Sequence, residues 1–196
     1  NHNKIRLMIF NTGLINNFKN IHEQILLEKS EIILLQEVSP KVQSELKSLK
    51  SLFPYNTGLD EPLGYFSSIV LSKYPLKNTR VIDDYTILTK VILPDTELNI
   101  IGLHLPAPLN QFLLNLYVDF YFSNSNATKP TPLPHVNFDV ILKQMDHIKN
   151  LVNKNNKNII LMGDLNMTIT SKRFTNFLHD ANLYTYVSYK HPTFTW

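Results

Sequence analysis

Ile159-Ile160-Leu161-Met162-Gly163-Asp164-Leu165-Asn166 is the stretch whose reading decides the architecture. The apolar run from Ile159 to Met162 is too short for a helix and reads as a buried strand, with Gly163 as the bend where it ends. In extended backbone the side-chain period is two, so Asp164 and Asn166 point to the same side. A Gly-Asp-X-Asn is by itself ordinarily an Asx turn leaving a strand. Upstream, Val140, Ile141, Met145, Ile148 and Leu151 fall in helical register and predict a helix over Asn137 to Val152, joined to the strand through Asn153 to Asn158. Downstream, a helix over Ser171 to Leu178 precedes the strand-like Leu183 to Val187.

Working outward to the N-terminus, Lys4 to Phe10 reads as a strand, with Ile5, Leu7 and Ile9 alternating with Lys4 and Arg6 before Met8 and Phe10 make both faces apolar. Asn17 to Lys29 carries Phe18, Ile21, Ile25 and Leu26 at helical spacing, and Ile32 to Leu35 follows as a short buried strand. Ser39-Pro40 is an N-cap with Pro at the first helical position, opening a helix with Val42, Leu46 and Leu49 on one face. In the middle, Ile69 to Leu71, Tyr85 to Leu93 and Glu97 to Leu103 read as strands separated by turns at Lys73-Tyr74-Pro75, Asp83-Asp84 and Pro94-Asp95. An aromatic and leucine-rich stretch from Leu109 to Phe122 precedes a predicted exposed loop, Ser123 to Pro134. Hairpin-like strands among helices argue against a purely parallel sheet, and two packed sheets with helices outside fit better.

The composition narrows the chemistry. The 196 residues, 43% hydrophobic and 18% charged, suffice for one domain with a substantial core, and we expect a single unit over 1–196 and a monomer. The absence of Cys excludes disulfides, thiolate catalysis and Cys-ligated zinc. A net charge of +3 with scattered Lys and Arg does not identify a nucleic-acid binder. No apolar run approaches the roughly 18 residues of a membrane span. Because the numbering starts at Asn1 rather than Met, we expect upstream residues, removed by processing or by design, that could have been a signal or an anchor, which leaves localisation open.

The polar residues that end apolar strands are the candidates for function. Glu37 closes the run Ile32 to Gln36, Asn11 ends the first strand, His104 ends the strand Asn99 to Leu103, and Asp164 with Asn166 follows Met162. Each alone has an ordinary reading: a solvated Glu, an Asn capping its own turn Thr12-Gly13, a strand-end His. Together they place oxygen ligands and an imidazole at sheet ends, a set suited to magnesium or calcium and to phosphate chemistry.

The ordered segments Leu7-Met8-Ile9-Phe10-Asn11, Leu34-Leu35-Gln36-Glu37-Val38, Ile69-Val70-Leu71-Ser72-Lys73-Tyr74-Pro75-Leu76, His104 and Leu161-Met162-Gly163-Asp164-Leu165-Asn166 resemble the motifs of the endonuclease/exonuclease/phosphatase (deoxyribonuclease-I-like) superfamily over essentially the whole chain. The resemblance implies an α/β four-layer sandwich of two mixed, mostly antiparallel sheets packed face to face with helices outside. It implies Glu37 as the principal metal ligand with Asn11 beside it, Asp164 and Asn166 on the nucleophile and phosphate side, and His104 at the phosphoryl oxygens. The reaction implied is metal-assisted attack of water on a phosphoester, with Mg2+ as cofactor and Mn2+ or Ca2+ as alternatives.

Two departures from the family pattern stand out. Ser67-Ser68 occupies a position where the family usually has Gly, and the closing Asp-His pair is absent before Trp196. The expectation is that the natural protein continues for some tens of residues that carry that pair. The substrate is expected to be nucleic acid or a phospholipid head group; Lys172-Arg173, after the Gly-Asp-X-Asn, are the candidate contacts to a flanking phosphate, although a basic pair at a helix start is usually solvated. The aromatic stretch from Phe112 to Phe122 is more often core than lipid contact at such spacing. The competing class is a catalytically inactive binding or scaffold protein that retains the fold.

Overall fold

Among the described residues the strands pair into two four-stranded sheets, with helix crossovers or hairpins dictated by strand direction. The structure, a computed structural model, describes residues 4–13, 18–61, 68–83, 86–106, 138–154, 157–167 and 170–185. The stretch from Leu109 to Phe122, the loop Ser123 to Pro134 and the end of the Leu183 to Val187 segment lie outside the described residues. In the first sheet the order is β1 (Leu7–Asn11), β2 (Ile32–Gln36), β4 (Ile69–Ser72), β3 (Tyr55–Asn56). In the second it runs β5 (Leu76–Asp83), β6 (Thr86–Ile92), β7 (Glu97–His104), β8 (Ile159–Asp164). Each sheet has one parallel pair, β1 with β2 and β7 with β8, and its remaining pairs are antiparallel. Parallel neighbours need a crossover, and α1 (Phe18–Glu28) and α3 (Phe138–Lys154) lie in those two connections.

Alternation along the strands makes three apolar layers. Ile32, Leu34 and Val70 of the first sheet meet Ile87, Val91, Ile100 and Met162 of the second in the central layer. Gly102 lets these faces close, since a Cβ there would stand 2.8 Å from Leu34 Cδ1 and 2.9 Å from Ile87 Cγ2. On the outer face of the first sheet, Ile33, Leu35, Ile69 and Leu71 pack under Ile21 and Ile25 of α1 and Val42 and Leu46 of α2 (Pro40–Leu46). On the outer face of the second, Ile101 and Leu103 pack under Ile141, Met145 and Ile148 of α3 and Phe177 of α4 (Lys172–Asp180). Helix, sheet, sheet, helix is the four-layer sandwich expected.

Local signals placed the helices well. Ser39 Oγ accepts from the Val42 N–H at 3.2 Å with Pro40 at the first helical position, and Ser171 Oγ accepts from the Phe174 N–H at 3.1 Å. Leu49 falls in a 3-10 turn, Lys47–Ser51, rather than in α2, and still packs into the core. Other expectations need correction. β3 and β5 were not foreseen: β3 has two residues, and β5 is an edge strand whose Lys77 to Val81 are exposed, so neither offers hydrophobic alternation. Leu26 is 46% exposed while Ile21 and Ile25 are buried, which narrows the apolar face of α1. In β1 it is Met8 and Phe10 that pack against the helix-side core, whereas Leu7 and Ile9 are 36% and 48% exposed. Leu183 to Thr185 carry no strand; Leu183 is partly buried against the core cluster that holds Phe177 of α4.

One polar cluster ties strand ends opposite the site. The Tyr74 O–H donates to Glu31 Oε1 at 2.6 Å and the Arg6 N–H to Glu31 Oε2 at 3.1 Å. The Tyr74 hydrogen bond, followed by that of the Arg6 backbone and the charges of Lys73 and Arg6, holds the Glu31 carboxyl below its usual value despite some desolvation. The same bond raises the Tyr74 phenol above its usual value.

Candidate active site

Strand register brings the polar strand ends to one place. Parallel pairing of β7 and β8 sets His104 beside Asp164, and parallel pairing of β1 and β2 sets Asn11 beside Gln36. His104 and Asp164 share strand parity with Ile100 and Met162, so both face the layer between the sheets. Gln36 follows Ile32 and Leu34 on that same layer of the first sheet.

Gln36 fastens the two sheets across this end. It is 0% exposed; its Nε2 donates to Leu103 O at 2.6 Å, and its Oε1 accepts from the Asp164 N–H at 3.1 Å. A buried amide that satisfies one acceptor and one donor of the opposite sheet sets the distance between the sheets at the site. Gly163 makes that approach feasible: its φ is +140°, and a Cβ there would lie 1.8 Å from Leu103 O and 3.1 Å from Gln36 Nε2. Sequence reading alone assigns Gln36 no role. The available signal was a Gln inside an otherwise apolar strand.

Glu37 leaves β2 with φ +53°, a left-handed conformation that costs a non-glycine residue on the order of 1–2 kcal/mol. Local bonds hold it there. The Thr12 hydroxyl donates to Glu37 O at 2.7 Å and lies 3.0 Å from Gln36 O, while the Thr12 N–H donates to Gln36 O at 2.8 Å. The Glu37 carboxylate accepts from Asn11 Nδ2 at 2.9 Å, and Asn11 Oδ1 accepts from the Gly13 N–H at 2.8 Å, which fixes the amide orientation. His104 Nε2 stands 3.2 Å from Glu37 Oε1, its side chain 4% exposed against 21% for Glu37. The imidazole thus sits behind the carboxylate, and Glu37 is the member that reaches solvent.

On the second sheet, Asp164 Oδ1 accepts from the Asn166 N–H at 2.8 Å, an Asx turn, and Asn166, with φ +50°, donates from Nδ2 to Leu105 O at 2.6 Å. The Asx turn is therefore what forms: the strand ends at Asp164 and Asn166 is left-handed, so the period-two expectation that pointed both side chains to one side does not hold past Asp164. Lys172 and Arg173 lie on the exposed first turn of α4.

Oxygen-rich groups that are prealigned suit a hard cation. Among the described residues no three His, Asp or Glu side chains form a metal-binding group on their own. Glu37 and Asn11 supply one charged and one neutral oxygen-bearing group joined by the hydrogen bond that Asn11 Nδ2 donates to Glu37 Oε1, a pair that could hold a hard divalent cation.

The comparisons agree with this architecture. No curated protein matches the chain. Among solved structures, sphingomyelinase C from Streptomyces griseocarneus aligns with a TM-score of 0.62 at 16% identity, covering 92% of this chain and 70% of its own. TDP2 of D. rerio, complexed with a single-strand DNA product, aligns with a TM-score of 0.59 at 13% identity, covering 94% and 67%. A mutant beta toxin from Staphylococcus aureus with bound magnesium ions aligns with a TM-score of 0.58 at 16% identity, covering 88% and 64%. At such identities these likenesses speak to the fold. The Endonuclease/Exonuclease/phosphatase family model matches residues 8–196, nearly the full length, and with the strand-end motifs in place the chain belongs to that family.

Proposed function

We propose that this chain hydrolyses phosphoester bonds with a divalent cation, magnesium first, held by Glu37 with Asn11. The observation that carries the reading is the meeting of Asn11, Glu37, His104, Asp164 and Asn166 at one end of the sandwich, with Gln36 joining the two halves. The chemistry supplied by a bound cation is Lewis-acid polarisation of the phosphoryl group and neutralisation of its charge. Asp164, with Oδ1 engaged by the Asn166 N–H, orients a water through Oδ2 and accepts its proton as attack proceeds. Asn166 keeps one Nδ2 hydrogen on Leu105 O and offers the other to a phosphoryl oxygen. His104 acts on the phosphoryl oxygens in the family-based reading; its position against Glu37 supports a second role, aligning that carboxylate.

The substrates put forward are nucleic acid and phospholipid head groups, with Lys172 and Arg173 contacting a flanking phosphate. Hydrolysis of DNA, RNA, sphingomyelin and bis-p-nitrophenyl phosphate with magnesium, then with chelator, tests this. Chelator-sensitive turnover on one of them is expected. Cation binding with no turnover on any supports instead the inactive binding protein.

We also propose that 1–196 is one unit completed by further strands. Leu7 and Ile9 lie on the face of β1 toward the second sheet, next to Ile32 and Leu34 in register, and yet are exposed. An exposed apolar strip on an edge strand is normally covered. A longer natural chain should protect the β1 and β8 amides from hydrogen exchange; equal protection in both lengths would oppose the idea.

A further inference from the structure

At the end of the second sheet remote from Glu37 there is a cavity of about 350 Å³ whose walls include Asn78, Arg80, Lys90, Asn99, Lys154 and Lys157. Asn99 and His104 are at opposite ends of β7, about 16 Å apart at the usual rise per residue, so this is a separate place from the candidate active site. It lies on the helix-side face, because Leu88 and Ile101, which flank Lys90 and Asn99 in register, pack under α3.

The concentration of cations here is built by the fold. Lys77 pairs with Lys90 and Arg80 with Leu88, so β5 carries one extra residue between them, and Asn78 in this bulge has φ +53°. Without the extra residue Arg80 would occupy the opposite face of the sheet; the bulge turns it to the side of Lys90. Lys154 arrives from the last residue of α3, and Lys157 from the turn into β8, which Asn99 fastens by donating from Nδ2 to Lys157 O at 3.1 Å. Lys90 is paired with Glu97 at 2.6 Å, whereas no ion pair joins Arg80, Lys154 or Lys157 to a carboxylate among the described residues. Like charges on facing strand positions repel, and a bulge that gathers them works against stability unless an anion shares the site.

We propose that this cavity binds a compact phosphate-bearing anion, with Arg80 and Lys157 as its principal charge partners and the Asn78 and Asn99 amides at its rim. The volume is at the lower end of small-ligand sites, which favours a phosphate or diphosphate group over a polymer. Arg80 brings a planar fork suited to two phosphate oxygens, and Lys157 a point charge. Lys154 is less diagnostic, because a cation at a helix C-terminus is favourable for its own sake.

The experiment is a pyrophosphate titration in chelator, followed by backbone amide shifts and by calorimetry, so that the cation-dependent site stays silent. Saturable one-to-one binding with shifts at Thr89, Asn99 and Lys157 is expected. Arg80→Gln and Lys157→Gln, both at exposed positions, should each weaken it by about tenfold, the effect of losing one charge-assisted contact, and Glu37→Gln should leave it unchanged. Non-saturating shifts, unchanged affinity in both exposed-residue variants, or shifts confined to His104 and Asp164 would overturn the assignment. So would tighter binding at these residues by a short oligonucleotide without terminal phosphates, which would make the cavity a polymer contact.

Discussion

Replacing Gln36 by Leu tests whether one buried amide sets the geometry of the candidate site. The side chain is fully buried and makes two hydrogen bonds to the opposite sheet, to Leu103 O at 2.6 Å and from the Asp164 N–H at 3.1 Å. Leu is close in volume, so packing alone changes little, but an acceptor and a donor lose their partner in a water-poor layer. Each such group costs about 1–3 kcal/mol, and partial relaxation of the Asp164 turn puts the sum at about 2–4 kcal/mol. For a chain of this size that is a fall in Tm of roughly 4–16 °C. Because the Asp164 N–H is one of the two bonds, turnover on bis-p-nitrophenyl phosphate should fall at least about tenfold, carried by kcat more than KM. Urea unfolding and initial rates on the same preparation measure both. A folded Gln36→Leu protein that loses less than about 0.5 kcal/mol would refute the view that Gln36 fastens the sheets; a destabilised protein with unaltered kcat would refute its link to Asp164.

Glu37→Gln should abolish measurable hydrolysis and leave the unfolding midpoint within a degree or two, because a neutral amide cannot replace the charge that holds a hard cation; near-normal turnover at limiting magnesium would remove Glu37 from the metal assignment. Asp164→Asn should reduce kcat by about a hundredfold or more with little change in KM, since a base acts in the transition state, and a raised KM at unchanged kcat would make Asp164 a substrate-positioning group. The Glu31 carboxyl is held below its unfolded value of 4.5, so its contribution to stability is present above that pH and is lost as pH falls through the lower folded value. Tyr74→Phe should therefore lower stability near neutral pH and converge on the wild type in acid, as pH-dependent urea midpoints would read; a difference that persists undiminished at low pH would locate the effect in packing alone.

Much of this molecule is written in local signals. The apolar runs Ile32 to Leu35 and Ile159 to Met162, the cap Ser39, and the ordered Gln-Glu and Gly-Asp-X-Asn motifs were enough to place the main strands and helices, the two-sheet class and the family. Those features act within a few residues, where chain geometry and hydrophobic period leave little choice. The short strand β3 and the polar edge strand β5 escaped because their pairing comes from neighbours rather than from their own residues. The pattern leaves both faces of β1 apolar, and only packing decides which is covered: Met8 and Phe10 lie against the helix-side core while Leu7 and Ile9 are exposed. At the site, the candidate residues were legible as strand ends, but their convergence was not. Asn11, Glu37, His104 and Asp164 span more than 150 positions of the sequence, and parallel register in two different sheets, then the Gln36 bridge between them, is what makes them neighbours. Residue types and strand ends belong to the chain; distances such as the 3.2 Å between His104 and Glu37 exist only once the sheets have packed, because the contact is made by side chains that no local segment holds together.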